Sequence, residues 1–234
     1  MKNVRALTPD KKNKTISKKL TEKQWTVYYY LMSISHWNSK DLEDHYFFYK
    51  KDLNVTYASK LLNISRPTFY KTIEKLTDDE LHILKDMGDY YKVYIPKIYA
   101  EIDQKILTQL IPYQALLGVD FIRTYAILCR MYQHPEIASA FTKADLIDIL
   151  GHSKTDNSMY YRVELFLAFL SYEKFIDITF QVKTYCGKQY KEFLLKGINT
   201  PSETLDCDNI CAINEEKIKK IKEGIKETGT WDIK

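Results

Sequence analysis

Hydrogen-bonding and cationic side chains are concentrated in one short segment, residues 65–75. They are Ser65, Arg66, Thr68, Tyr70, Lys71 and Lys75. Lysine and arginine bind phosphate groups, and arginine can also make paired hydrogen bonds to a planar acceptor edge such as that of guanine. The chemistry that this segment offers is therefore recognition of an anionic partner.

The spacing of apolar residues predicts two short helices, joined by a tight turn, around this segment. The predicted inward side consists of Ala58, Leu62, Ile64, Phe69, Ile73 and Leu76. Ser65 can cap the second helix, and Pro67 in its first turn sacrifices no hydrogen bond. Asn63 stands where such turns often have glycine, and asparagine tolerates the left-handed conformation. A helix with a polar outer side is free to enter the major groove of DNA.

Elements on both sides of this pair can position it. Thr21-x-x-Gln24 is a capping box that begins an earlier helix with an aromatic face, and the aromatic cluster 45–49 predicts a short strand. Two alternating runs, 81–86 and 90–95, are separated by a turn at Gly88 and predict a β-hairpin. Lys85 and Lys92 near its tip are suited to phosphate contact.

The same order of elements recurs in the second half of the chain. An opening helix over 121–132 is followed by a capping box at Thr142-x-x-Asp145, a turn at Gly151, a helix over about 156–170 and a second hairpin. The second helix position could contribute Lys154, Asn157, Ser158, Tyr161 and Arg162, and its hairpin could contribute Lys183 and Lys188.

The outer side of this later helix is polar only in its first half. Its second half carries Leu165 and Ala168 on the predicted outer side, which suggests contact with protein instead of DNA. Both alternatives remain open from the sequence.

With these residues in view, the chain resembles tandem winged-helix DNA-binding proteins, including plasmid and phage replication initiators with two such domains. The resemblance covers about residues 20–198. Its specific part is Ala58-x-x-x-Leu62-x-Ile64-Ser65-x-x-Thr68-Phe69-x-x-x-Ile73-x-x-Leu76. It implies binding of duplex DNA through helix 66–76, with the hairpin as a wing that touches the backbone or the minor groove.

The expected fold class is mainly α with small β-hairpins (α+β), arranged as two winged-helix domains in tandem. The expected segments are a flexible basic arm over 1–20, a first winged-helix domain over 21–96, a connecting helix over 97–118, a second winged-helix domain over 119–198 and a tail over 199–234 with a short amphipathic helix. In the connecting segment, Pro112 is expected to stop the helix.

Other chemistry finds little support in the sequence. The net charge is only +4, so the cationic character is local to particular segments. No phosphate-binding glycine loop occurs, and no two histidines stand two residues apart as relaxase-type metal pairs require. Cys207-x-x-x-Cys211 has metal-like spacing but lacks two further close ligands for structural zinc. We therefore expect no catalytic activity, no metal, no cofactor and no small-molecule ligand.

The sequence thus predicts a sequence-specific binder of double-stranded DNA that acts in replication initiation or transcription regulation. A bacterial plasmid, phage or other mobile element is the expected setting, with a cytoplasmic, DNA-associated location and no membrane partner. Whether the protein forms a homodimer is left open. The alternative is an assembly scaffold that binds protein without reading bases.

Overall fold

A computed structural model of the chain describes residues 3–9, 19–38, 45–78, 80–136, 140–199, 216 and 218–224. These residues form a mixture of helices and small antiparallel sheets. The described residues form two compact units, one of residues 3–8 and 19–122, and the other of Pro9 and the residues from Arg123 onward. Each unit contains its own helices and sheet.

The first unit contains four helices and six strands among its described residues. In chain order these are β1 (Asn3–Leu7), α1 (Glu22–Ile34), β2 (His36–Asn38), β3 (His45–Tyr49), α2 (Val55–Leu61), α3 (Arg66–Leu76), β4 (Leu84–Asp86), β5 (Tyr90–Val93), β6 (Tyr99–Asp103) and α4 (Gln104–Leu117). Strands β2 to β5 form one sheet in the order β2-β3-β5-β4, and β1 pairs with β6. The strand predicted in the aromatic cluster 45–49 is therefore confirmed as β3.

Helix α1 begins as its sequence predicts. The Thr21 hydroxyl accepts a hydrogen bond from the Gln24 backbone N–H, and the Gln24 side chain accepts one from the Thr21 N–H. Trp25, Tyr28 and Tyr29 on this helix are fully buried. The helix ends at Ile34, and the chain continues at His36 as strand β2.

The expectation of a flexible arm is wrong for residues 3–7, which form β1. Val4 and Ala6 are fully buried, and β1 pairs with β6 in the register Val4↔Ile102. The Leu7 N–H donates to the Tyr28 hydroxyl at 2.8 Å, and the Tyr29 hydroxyl donates to the Leu7 carbonyl at 3.1 Å. Residues 3–7 therefore belong to the core of the first unit, whereas residues 10–18, with most of the predicted basic charge, lie outside the described residues.

Of the connecting helix or linker expected over 97–118, residues 104–117 are helical, whereas residues 99–103 form a strand. This segment supplies β6 and α4, both within the first unit. The Gln104 side chain donates to the carbonyls of Ser33 and Ser35 at the end of α1. Pro112 lies inside α4 and does not stop it. A helix-interior proline costs about 3 kcal/mol, and α4 offsets this by burying a row of large apolar side chains, each worth about 1.5–3 kcal/mol.

The first hairpin is confirmed with shorter strands than predicted. Strand β4 begins at Leu84 rather than residue 81, and β5 ends at Val93 rather than residue 95. Gly88 in the turn has φ +89°, a conformation that glycine adopts without steric cost.

The second unit repeats the order helix, strand, helix, helix, strand, strand. Its elements are α5 (Asp120–Gln133, which begins just before the division), β7 (Ala140–Phe141), α6 (Lys143–Leu150), α7 (Asn157–Tyr172), β8 (Ile176–Tyr185) and β9 (Lys188–Ile198). The sheet order is β7-β9-β8, which corresponds to β3-β5-β4 in the first unit. The predicted capping box of Thr142 and Asp145 is present.

The second hairpin is longer than the first. Cys186 and Gly187 form its turn, with φ values of +49° and +74°. Two successive residues with positive φ make the two-residue turn that matches the twist of paired strands.

Part of the C-terminal segment is helical, over residues 218–224. Ile218 and Ile221 of this predicted amphipathic helix are buried. The other residues of the tail from 200 onward, apart from Glu216 and those of the helix, lie outside the described residues. In the described part of the chain we find no helix of the length and hydropathy needed to cross a membrane.

Candidate nucleic-acid interface

Helix α3 is held by its buried side and by its N-terminal cap. Phe69 and Leu76 are fully buried, and the Phe69 ring lies 6.1 Å from that of Tyr30 on α1. The Ser65 hydroxyl accepts a hydrogen bond from the Thr68 N–H at 3.2 Å. Asn63 in the turn before the cap adopts φ +52°, as its position predicted. The helix is thus fixed in direction before any ligand binds.

The outer side of α3 is exposed. Arg66, Lys71 and Lys75 are exposed, and Tyr70 retains 59% of its surface. Arg66, Lys71 and Lys75 form no ion pair with any described residue. Three exposed cations without an ion pair to a described residue therefore lie on α3, with Lys71 and Lys75 one turn apart and Arg66 at the start of the helix.

Two hydroxyls of the predicted site are engaged within the helix. Ser65 and Thr68 share a hydrogen bond of 2.8 Å between their side-chain oxygens, and Thr68 is half-buried. Both hydroxyls act here in capping. The side chains left for recognition are those of Arg66, Tyr70, Lys71 and Lys75.

Two carboxylates reduce the positive field at the C-terminal end of α3. Glu74 and Asp78 line the same shallow depression as Lys71 and Lys75. The segment from Arg66 to Lys71 contains no acidic residue. The strongest attraction for an anion is therefore expected at the N-terminal half of the helix, where the helix dipole adds to it.

The first hairpin is braced against the segment before α2. The Lys50 ammonium donates to both carboxylate oxygens of Asp86, at 2.7 and 2.8 Å, and lies 4.8 Å from the centre of the Tyr91 ring. This hydrogen bond, with one from the Gly88 N–H, holds the pKa of Asp86 below its usual range. The hairpin tip is therefore fixed relative to the helices, although the pair is partly exposed and worth little in stability.

Lys85 and Lys92, the two hairpin lysines predicted to contact phosphate, are direct cross-strand partners. Lys85 is exposed and Lys92 is half-buried, with its ammonium 5.4 Å from the centre of the Tyr94 ring. Like charges placed opposite each other in a sheet destabilise it slightly. A bound anion such as a phosphate would relieve the repulsion between these two lysines.

The candidate residues of the second unit are more engaged within the protein. Lys154 pairs with Asp148 at 3.6 Å, and Lys183 pairs with Glu192, which raises the pKa of the lysine. The Arg162 guanidinium donates to the Met159 sulfur at 3.6 Å.

The remaining predicted residues of the second unit lie at its surface. Asn157, Ser158, Tyr161 and Lys188 are exposed. The Ser158 hydroxyl donates to the Asp156 carboxylate at 2.6 Å as part of the cap of α7. Among the predicted site residues of this unit, only Lys188 is an exposed cation without an ion pair to a described residue, against three such cations on α3.

The predicted apolar outer surface of α7 does not exist. Leu165 and Ala168 are 4% and 1% exposed. Helix α7 is buried along its whole second half, from Val163 to Leu170. Its continuous apolar run predicts this burial better than a one-sided helical pattern does. These two residues therefore offer no surface to a protein partner.

Sequence reasoning missed the outer side chains of the first sheet. His36, Phe47, Tyr49 and Tyr90 contact one another there, with ring centres 5.4–6.3 Å apart along the chain of contacts. The alternation of side chains in residues 45–49 and 90–94 could have predicted this cluster, because every second residue of a strand lies on the same side of the sheet.

Neither a metal site among the described residues nor a related protein helps to assign this surface. The described residues contain no group of three or more potential metal ligands, and Cys207 and Cys211 lie outside them. Comparison of the chain with protein-family models, with curated proteins and with solved structures finds no match.

Proposed function

We propose that both units are winged helices and that the first binds double-stranded DNA through α3. The topology supports the fold assignment. In each unit a strand precedes two short helices, a hairpin follows them, and the preceding strand pairs with the second strand of the hairpin. A helix-turn-helix followed at once by a hairpin is the arrangement in which the second helix enters the major groove.

The observation that carries this proposal is the set of exposed cations on α3 that form no ion pair with a described residue. Arg66, Lys71 and Lys75 are exposed without an ion pair to any described residue, on a helix whose other side is buried. Phosphate contacts from the lysines fix the register of the helix on the duplex. Arg66 and Tyr70 approach base edges, and the arginine suits the paired acceptors of guanine. Lys85 and Lys92 hold the flanking backbone.

The proposed biological role is replication initiation or transcription regulation of a plasmid, phage or other mobile element, in the cytoplasm. Two helix-turn-helix units in one chain suit repeated or extended target sites. Selection of bound duplexes from a random pool distinguishes the two roles: repeated sites near an origin favour initiation, and a single promoter site favours regulation.

The direct test is charge reversal on α3. Binding of a fluorescent random duplex at low salt is followed by anisotropy for the wild-type protein and for Lys71→Glu/Lys75→Glu. The matched control is Lys23→Glu/Lys105→Glu, which makes the same charge change at exposed lysines on α1 and α4. We expect the α3 variant to lose at least tenfold in affinity, with a far smaller loss in the control.

Two outcomes contradict the proposal. One is absence of duplex binding by the wild-type protein at low salt, since non-specific binding rests on electrostatic attraction. The other is equal affinity of both variants, with unchanged circular dichroism. Oligomerisation without DNA binding would instead favour an assembly scaffold.

A further inference from the structure

The outer face of the first sheet combines aromatic rings with lysines. We define the outer sheet face as His36, Phe47, Tyr49, Lys85, Tyr90 and Lys92. Strand register places His36 opposite Phe47, Phe47 opposite Lys92, and Lys92 opposite Lys85. One row across four strands therefore reads ring, ring, cation, cation. The neighbouring row pairs Tyr49 with Tyr90.

The rings of this face form one connected cluster. The Phe47 ring lies 5.7 Å from His36, 5.4 Å from Tyr49 and 6.0 Å from Tyr90. Tyr49 is 40% exposed, and the Lys51 ammonium lies 5.4 Å from the centre of its ring. The sheet thus presents aromatic surface with ammonium groups at its border.

The aromatic rings of this face lie on the opposite side of the sheet from α3, whereas its lysines Lys85 and Lys92 are shared with the proposed duplex contact. Side chains alternate along a strand, so Tyr91 lies on the other side of the sheet from Tyr90 and Lys92. Tyr91 stacks on Phe48, and its pKa is raised mainly by burial and slightly by the neighbouring Tyr70 of α3. The sheet therefore has one side toward α3 and another with the aromatic cluster.

The charges of the outer sheet face are all positive or neutral. None of its six residues is acidic. The hairpin carboxylates Asp86 and Asp89 both act on Lys50, whose ammonium lies against Tyr91 on the α3 side. Lys85 makes no ion pair with a described residue.

We infer that the outer sheet face binds single-stranded nucleic acid, with bases stacked on Tyr49, Tyr90 and Phe47 and phosphates on Lys85, Lys92 and Lys51. Unpaired bases stack on exposed aromatic rings, while a cationic border follows the backbone. Paired bases in a duplex do not expose their faces for stacking on these rings. A protein partner fits less well, because lysine is depleted at protein interfaces where aromatic residues are enriched.

Cross-strand aromatic pairs also stabilise sheets, and this purely structural role predicts a different result. It requires loss of stability when the rings are removed, but no change in binding. The test must therefore compare variants that remove the rings with variants that keep them, at positions exposed enough for both kinds of variant to fold.

The test measures binding of fluorescent oligo-dT by anisotropy, since this strand forms no duplex. Tyr49→Ala/Tyr90→Ala is compared with Tyr49→Phe/Tyr90→Phe, which retains the rings. The control is Tyr132→Ala on α5, a similarly exposed tyrosine at 49%. Removal of two stacking rings is expected to weaken binding of oligo-dT by about 30-fold or more, with the phenylalanine variant and the control near wild type.

Each other outcome overturns the inference. These are no binding of oligo-dT by the wild-type protein, unchanged binding by a folded Tyr49→Ala/Tyr90→Ala variant, and an effect of that variant on self-association alone. If it fails to fold, Lys85→Glu at the exposed end of the row must weaken oligo-dT binding. The Lys71→Glu/Lys75→Glu variant keeps this test distinct from the duplex proposal, because it should retain oligo-dT binding.

Discussion

Neutralising Lys71 and Lys75 should reduce the salt dependence of duplex binding by a calculable amount. The structure offers four lysines for phosphate contact in the first unit: Lys71 and Lys75 on α3, and Lys85 and Lys92 on the hairpin. Each phosphate contact contributes about 0.9 to the slope of log affinity against log salt. The four together contribute about −3.6, and Lys71→Gln/Lys75→Gln should remove about half of this.

The expected effect is large enough to measure. Between 50 and 200 mM salt, a slope of −3.6 lowers affinity by about 150-fold, whereas a slope of −1.8 lowers it by about 12-fold. Further phosphate contacts made elsewhere add equally to both proteins, so the difference between the slopes is the tested quantity. Glutamine keeps most of the side-chain length and removes only the charge.

The assay is a series of anisotropy titrations with a random duplex at four or more salt concentrations. Lys23→Gln/Lys105→Gln serves as the control for a loss of two charges elsewhere in the first unit. Equal slopes for wild type and the α3 variant, with both proteins folded, would refute the assignment of these lysines to phosphates.

Three further predictions concern stability and reactivity. Ser65→Ala should destabilise the protein by about 1 kcal/mol in urea unfolding, because it removes the cap of α3, whereas Ser65→Asp should retain most of the stability; equal losses would contradict the capping role. Lys143→Ala should cost about 3 kcal/mol, because it leaves the buried Glu164 carboxylate without its ammonium partner; the double variant Lys143→Ala/Glu164→Gln should recover part of this loss, and no recovery would count against the pair. Iodoacetamide followed by peptide mass mapping should label the exposed Cys186 and spare Cys129, whose pKa burial raises to about 12; fast labelling of Cys129 in the folded protein would contradict its burial.

Local signals in the sequence predicted the parts of the fold that depend on local interactions. The caps at Thr21, Ser65 and Thr142 each involve residues three positions apart. The hairpin turns at Gly88 and Gly187 require a positive φ within one or two residues. The order of elements follows from such signals, so the helices α1 and α3 and both hairpins could be predicted.

Long-range pairing could not be predicted in the same way. Strand β1 pairs with β6 across almost 100 residues, and nothing local in either segment specifies that partner. The sequence predicts a helix stop at Pro112 because the lost hydrogen bond and the steric clash of a proline are local effects. The burial of apolar side chains that offsets this cost depends on tertiary packing.

The candidate site was predictable in its residue types but not in the state of each side chain. Arg66, Tyr70 and Lys71 are exposed as expected. Lys154 and Lys183 pair with carboxylates on other elements, Asp148 on α6 and Glu192 on β9. Ion pairs of this kind depend on how those elements pack, which the sequence does not reveal. Because these two lysines are already paired, we assign the proposed DNA contact to the first unit.

The most direct test of the central claim measures sequence discrimination with and without Arg66. Duplexes selected from a random pool by the wild-type protein are titrated beside random duplex, and both titrations are repeated with Arg66→Ala. Loss of a paired contact to guanine should reduce the preference for the selected site by about 5- to 150-fold, the equivalent of 1–3 kcal/mol, with a small change on random duplex. An unchanged preference in the folded variant would contradict base reading by Arg66, and no selectable site for the wild-type protein would contradict sequence-specific binding itself.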